Sequence, residues 1–162
     1  IYIHIVIYEI NYFSINQTLS SFMFNLNLLI DIHFLSTSVM VGVIWVIQLL
    51  HYPSFHFVQK SDYPKFQQFH MSRISLIVIP AMIIEFITGI IMLQFGFSSN
   101  FLFISSLVIL ITIWGITFIF FTKMHQVLIS GYNEIIVNRL ISINWSRTLL
   151  WSLRLLILCY IR

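Results

Sequence analysis

One cysteine, three prolines and five glycines are all that this chain of 162 residues contains, and only 8% of its residues are charged. Each scarcity excludes something. With Cys159 alone there is neither an internal disulfide nor a paired-cysteine metal or redox site. A soluble domain carries about 25% charged residues, so a water-soluble fold would have too few polar side chains to cover its surface. No glycine-rich phosphate loop, no HExxH and no nucleophile–base pair is present, which argues against ATP-driven machines and hydrolases. No carboxylate stands one turn from a histidine, as a di-iron site would want. The net charge of +3 is small and its basic residues form no stripe, so nucleic acid is not an expected partner.

What the chain has is apolar bulk. Hydrophobic residues make up 59% and the mean hydropathy is +0.97. The sixteen phenylalanines and many isoleucines read as the codon bias of an AT-rich genome. The expected fold class is an all-α membrane protein, an antiparallel four-helix transmembrane bundle, with the lipid bilayer as its first partner. Four runs are long enough to span: about 28–50, 72–93, 101–121 and 145–162. "FGFSSN" joins the second and third as a short turn, while 51–71 and 122–144 read as longer polar links. Ser61 or Asp62 is the expected N-cap of the second span, with Pro64 in its first turn.

Residues 1–22 form an N-terminal arm with no basic n-region and no cleavage site, read either as an artefact of upstream translation or as an interfacial arm. Met23 reads as a start, so the membrane domain is taken as 23–162. Orientation follows from the basic residues. Lys60, Lys65, Lys123 and Arg139 lie in the two longer links, with Arg73 and Arg147 just inside the adjoining spans, and the short turn carries none. The links are therefore expected on the cytoplasmic side of a cell inner membrane, with both termini outside.

Intramembrane polar residues are costly and normally face the bundle interior. His33 and His51 are eighteen residues apart, five turns of helix, and Thr37 and Gln48 fall near the same stripe. His70 and Thr88 repeat that spacing in the second span, flanked by Arg73 and Glu85. Trp114, Phe121 and His125 share a face of the third, and Asn144, Arg147, Thr148, Trp151 and Arg154 a face of the fourth. Glu85 and Arg154 sit near mid-membrane, roughly 20 and 14 Å from the starts of their helices. They are expected to form an ion pair, which acts either as a structural clamp or as a charge that attracts a proton, a carboxylate or a haem propionate.

"IWVIQLLHYPSFHFV", residues 44–58, carries a helix into His51, Tyr52 and Pro53. Pro53 biases Tyr52 away from helix, which would leave His51 at a frayed last turn. His51, His56, His70 and His125 then gather at the cytoplasmic end with Arg73, Asn144 and Arg147. The candidate cofactor-binding residues are His51, His70, Arg73, His125, Asn144 and Arg147, and His51 and His70 are the candidate metal ligands. The competing readings are interfacial histidines at headgroup level and a proton relay. Gly42 and Gly89 read as close helix contacts, and Trp151, between two arginines, as a cation–π partner.

"VGVIWVIQLLHYPSF", "FQQFHMSRISLIVIPAMIIEFITGIIML" and "NWSRTLLWSLR" together resemble a family of small, uncharacterised bacterial inner-membrane proteins with four spans. The resemblance covers about 30–155 in order, and it implies four spans and a chain that runs on past the final arginine. In layout alone the sequence is also similar to the four-span haem-binding protoporphyrinogen oxidase of bacteria and its copper-resistance relatives. It lacks their tight His-to-Pro spacing in the first span. The functional expectation is an integral membrane protein that holds haem b or a transition metal through boundary histidines, for redox or proton-transfer chemistry. The alternative is a non-enzymatic accessory subunit or a small transporter with a structural Glu85–Arg154 pair, as a homo-oligomer or in a membrane complex.

Overall fold

A computed structural model describes the backbone from residue 2 onward and the side chains of Gln17, Met23 and residues 25–162. Residue 1 and most other side chains of the expected N-terminal arm lie outside the described residues. The described chain is helical, without a strand. Helix α1 runs Tyr2–Val46 and passes through a π-helical turn, Ile47–His51, into the short α2, Tyr52–Ser54, and a 3-10 turn, Phe55–Phe57. Then follow α3, Tyr63–Gln94; α4, Phe101–Ile116; a second π turn, Thr117–Phe121; α5, Thr122–Ile129; and α6, Glu134–Ile161. Among the described residues three stretches are long and apolar enough to cross a membrane: Asn25–Phe57, Tyr63–Gln94 and Phe101–Ile129. α6 has 28 residues, but Asn144, Arg147 and Arg154 make it less apolar.

One expectation about the helix ends needs correction. Tyr52 stays helical at φ −66° and ψ −42°, and helix runs through Pro53. The reason lies one turn back. A proline ring crowds the carbonyl four residues earlier and offers it no N–H, and here the chain widens before Pro53, with Tyr52 N–H bonding the Ile47 carbonyl five residues away. Most of the two polar links is helical, in keeping with the N-cap expected at Ser61 or Asp62. Helix resumes at Tyr63 and at Glu134, leaving only 58–62 and 130–133 outside it. Asp62 precedes the first of these starts without a side-chain capping bond, and Pro64 follows in the first turn. Asn133 caps the second by accepting from Ile136 N–H at 3.1 Å. Between α3 and α4 the chain turns at Gly96, whose φ of +94° favours glycine, and Asn100 caps α4.

α1 packs on α3 and α6, α6 also on α4, and α3 also on α5. His33 in α1 meets Thr88 late in α3, and His51, eighteen residues on, meets His70 early in α3. The same order holds against α6, where Thr37 meets Arg154 and Gln48 meets Asn144. The interior is inverted relative to a water-soluble fold. His33, Thr37, Gln48, Gln67, Glu85, Asn144, Arg147 and Arg154 are buried, while Leu35, Leu50, Leu76, Ile111, Phe118 and Leu156 are exposed. Such a surface suits lipid, and it leaves every interior polar group dependent on partners within the protein.

Along α3 and α6, apolar layers alternate with polar ones. One layer is Tyr52, Phe55, Tyr63, Phe121, Leu128 and Leu140. A second is Met40, Ile44, Ala81, Met82, Ile113 and Trp151, and a third is Met92, Phe103 and Leu158. The Glu85–Arg154 pair lies between the second and third. His51, His70 and His125 pack against the first, on the far side of the second, while His33 lies with the Glu85–Arg154 pair.

Candidate functional site: a histidine cluster between two grooves

The deeper polar centre is closed. Arg154 and Glu85, both wholly buried, form a salt bridge. Arg154 also donates to Thr37 Oγ1 at 2.9 Å and reaches His33 Nε2 at 2.9 Å. Arginine only donates, so His33 Nε2 accepts and its Nδ1–H donates to Thr88 Oγ1, 2.7 Å away. Thr88 in turn donates to the Ile84 carbonyl at 2.6 Å. Trp151 Nε1–H donates to the second Glu85 oxygen at 3.3 Å. Gly89 admits the His33 ring: a Cβ there would lie 3.3 Å from His33 Cε1 and 2.7 Å from Leu107 Cδ2. Gly42 behaves otherwise, with nothing within 4 Å of an added Cβ, so it marks no close helix contact.

The boundary cluster is open. His51 Nε2 and His70 Nδ1 are 2.6 Å apart, a direct bond that one shared proton can make. His70 and His125 have ring centroids 5.5 Å apart. Both nitrogens of His125 are engaged, Nδ1 by the Gln67 amide at 2.8 Å and Nε2 by the Tyr52 hydroxyl at 3.2 Å. Beside the Tyr52 hydroxyl lies the Arg147 guanidinium. The Arg147 guanidinium lies 4.2 Å from the centre of the Phe121 ring and 5.3 Å from that of Trp151. Asn144 donates to Gln48 Oε1 at 2.9 Å, and Gln48 to the Ile141 carbonyl at 3.3 Å. His56 stands apart, bonded to the Tyr132 hydroxyl at 2.9 Å. Partial burial and the Glu134 carboxylate push that phenol above its usual value.

Two grooves flank the cluster. The first, about 430 Å³, lies between α1 and α3 and is lined by His51, His70, Arg73, Gly42 and apolar residues. The second, about 450 Å³, runs along α3, α4 and α5 and is lined by Tyr52, His125, Arg147, Trp114 and Phe121 among others. The six residues expected to share one site are thus divided. His51, His70 and Arg73 line one groove, His125 and Arg147 the other, and Asn144 lines neither. Arg73 is exposed and lies over Phe69. Gln67 and the Tyr52 hydroxyl are the additions that sequence reasoning missed. Gln67 stands three residues before His70, so shared-face spacing was available to find it.

A metal is poorly served here. Zinc–imidazole bonds are about 2.0–2.1 Å long, so the nitrogens of His51 and His70 stand too close for an ion between them. Among the described residues no group of three His, Cys, Asp or Glu side chains is placed to hold one. No family model, curated protein or solved structure matches the chain.

Proposed function

We propose that this chain is a four-helix, antiparallel integral membrane protein of an inner membrane. Its His51–His70–His125 cluster is a proton-exchange centre at the cytoplasmic boundary, serving a partner that arrives from the bilayer. α6 acts as the fourth span. Its outward face is Leu149, Leu153 and Leu156, and its polar residues are turned inward.

The observation that carries the function is the 2.6 Å contact between His51 Nε2 and His70 Nδ1. Two hydrogen-bonded imidazoles pass a proton when one outer nitrogen takes a proton up and the other releases one as the shared proton crosses, and here the outer nitrogens are His51 Nδ1 and His70 Nε2. The first groove gives this pair an opening. The layer of Met40, Ile44 and Ile113 separates it from Glu85 and Arg154, which favours exchange at one boundary over conduction across the membrane. A soluble indicator should register the difference after a pH jump on the protein in nanodiscs. Wild type should bind at least one proton more than the His51→Ala and His70→Ala variants, and equal counts would sink the reading. Ligation is the rival. A visible haem band, or a stoichiometric metal, that is lost in both variants would replace proton exchange with cofactor binding.

A further inference from the structure

The second groove contains a charge with no counter-ion. Arg147 is 4% exposed, and among the described residues no carboxylate pairs with it; the two ion pairs are Arg154–Glu85 and Arg162–Asp31. The neutral Tyr52 hydroxyl lies beside Arg147, and the arginine Nε has no hydrogen-bond partner. The Phe121 and Trp151 rings also face it. A buried arginine so placed keeps a large unpaid desolvation cost, which an anion delivered to the groove would offset. The same arginine lines a groove of about 450 Å³ that is otherwise mostly apolar.

We infer that this groove binds a single-chain lipid carboxylate, with its head on Arg147 and Tyr52 and its chain along α3 toward Trp114 and Ile83. Three features select that ligand. The planar guanidinium matches a carboxylate with two parallel N–H donors. From Met71 to Ile83 the groove follows twelve residues of α3, roughly 18 Å of helix, with Ile74, Val78, Ile79 and Met82 along that wall. The volume lies in the ordinary range for one small ligand, about 300–1,000 Å³, and suits one chain better than the two of a phospholipid. The exposed rim residues, Ile79, Ile83 and Phe118, would sit in the bilayer, so a ligand enters sideways from lipid. This inference rests on the proposed membrane setting and supplies the partner for the proton-exchange centre. His125, bonded to Tyr52, is the cluster histidine nearest such a head group.

Tryptophan fluorescence tests it without reference to proton exchange. A brominated long-chain fatty acid should quench the protein in nanodiscs in a saturable way. Trp114→Phe should remove most of that quench, because Trp114 lines the groove. Arg147→Gln should raise the half-quenching concentration at least tenfold and Arg147→Lys by less. Should Arg147→Gln fail to fold, Ser75→Phe fills the same groove with the arginine intact, and it too should abolish the quench. Brominated phosphatidylglycerol and phosphatidylcholine separate the possible sources of the signal. Equal quenching by either, or an unchanged half-quenching concentration in both Arg147→Gln and Ser75→Phe, would overturn the assignment. Proton uptake lost in His70→Ala with quenching retained would leave this site standing beside the proton-exchange centre.

Discussion

Arg147 and Arg154 stand seven residues apart on one face of α6, and the interior treats them differently. Arg154 has a carboxylate, a hydroxyl and an imidazole acceptor, and its charge is matched. Removing one partner from a buried pair strands the other, at a cost of about 3–5 kcal/mol, whereas replacing both is far milder. Glu85→Gln should therefore lower the thermal unfolding midpoint in detergent sharply, and Glu85→Gln with Arg154→Met should recover much of the loss. A double variant no more stable than the single one would mean that the pair does more than neutralise itself. The glycines make a second contrast. Gly89→Ala places a methyl against Leu107 and His33, and overpacking of this kind costs about 1–3 kcal/mol. Gly42→Ala meets open space and adds helix propensity, worth up to about 1 kcal/mol. Unfolding in detergent should rank Gly42→Ala at or above wild type and Gly89→Ala well below it.

At the scale of elements, the two π turns decide what the helices present. Each inserts an extra residue's worth of rotation just before a functional side chain, the first ahead of Tyr52 and the second ahead of His125. Such bulges are often found at functional sites. Pro53 gives the first its reason to exist, so Pro53→Ala should let the helix revert to regular spacing and swing His51 off His70. Nitrogen-15 labelling of histidine reads this directly: the coupling across the shared N–H···N bond should be present in wild type and absent in Pro53→Ala. Its persistence would show that packing, not proline, holds the wide turn. The same turns explain what was legible in the sequence. The apolar runs and the 3.6-residue spacing of His33, Thr37, Glu85, Thr88 and Arg154 placed the helices and turned those residues toward a shared interior. Helix ends were less legible, because the local bias of Pro53 on Tyr52 is outweighed by a backbone that widens to accommodate it. The partition of His51 and His70 from His125 and Arg147 was not legible, since it depends on the phase added by each π turn and on the angle at which α3 passes between α1 and α5.

The whole molecule is organised by what surrounds it. Leucine, isoleucine and phenylalanine face outward on every long helix, and the exposed basic residues collect near two short loops, apart from Arg162, which pairs with the exposed Asp31. Lys60 and Lys65 flank one, Lys123 and Arg139 the other, and all four are exposed. Arg147, counted with them from sequence, is buried and belongs to the interior, so the orienting charge comes from the other four and Arg73. The turn around Gly96 carries no basic residue at all. Basic residues in short loops are retained on the cytoplasmic face during insertion, so the proposed orientation puts the histidine cluster at that face and the Gly96 turn opposite. Two exposed serines sit where this can be measured, Ser61 in one basic loop and Ser98 in the turn. Cys159 is exposed and would itself react, so it is first replaced by serine. A single cysteine at 61 should then be labelled by a membrane-impermeant reagent only after the cells are opened, and one at 98 from outside intact cells. Labelling of both from the same side would remove the α3 crossing. With it would go the inward-facing cluster, because the boundary that sets His51, His70 and His125 apart from the buried Glu85–Arg154 pair would no longer be a membrane boundary.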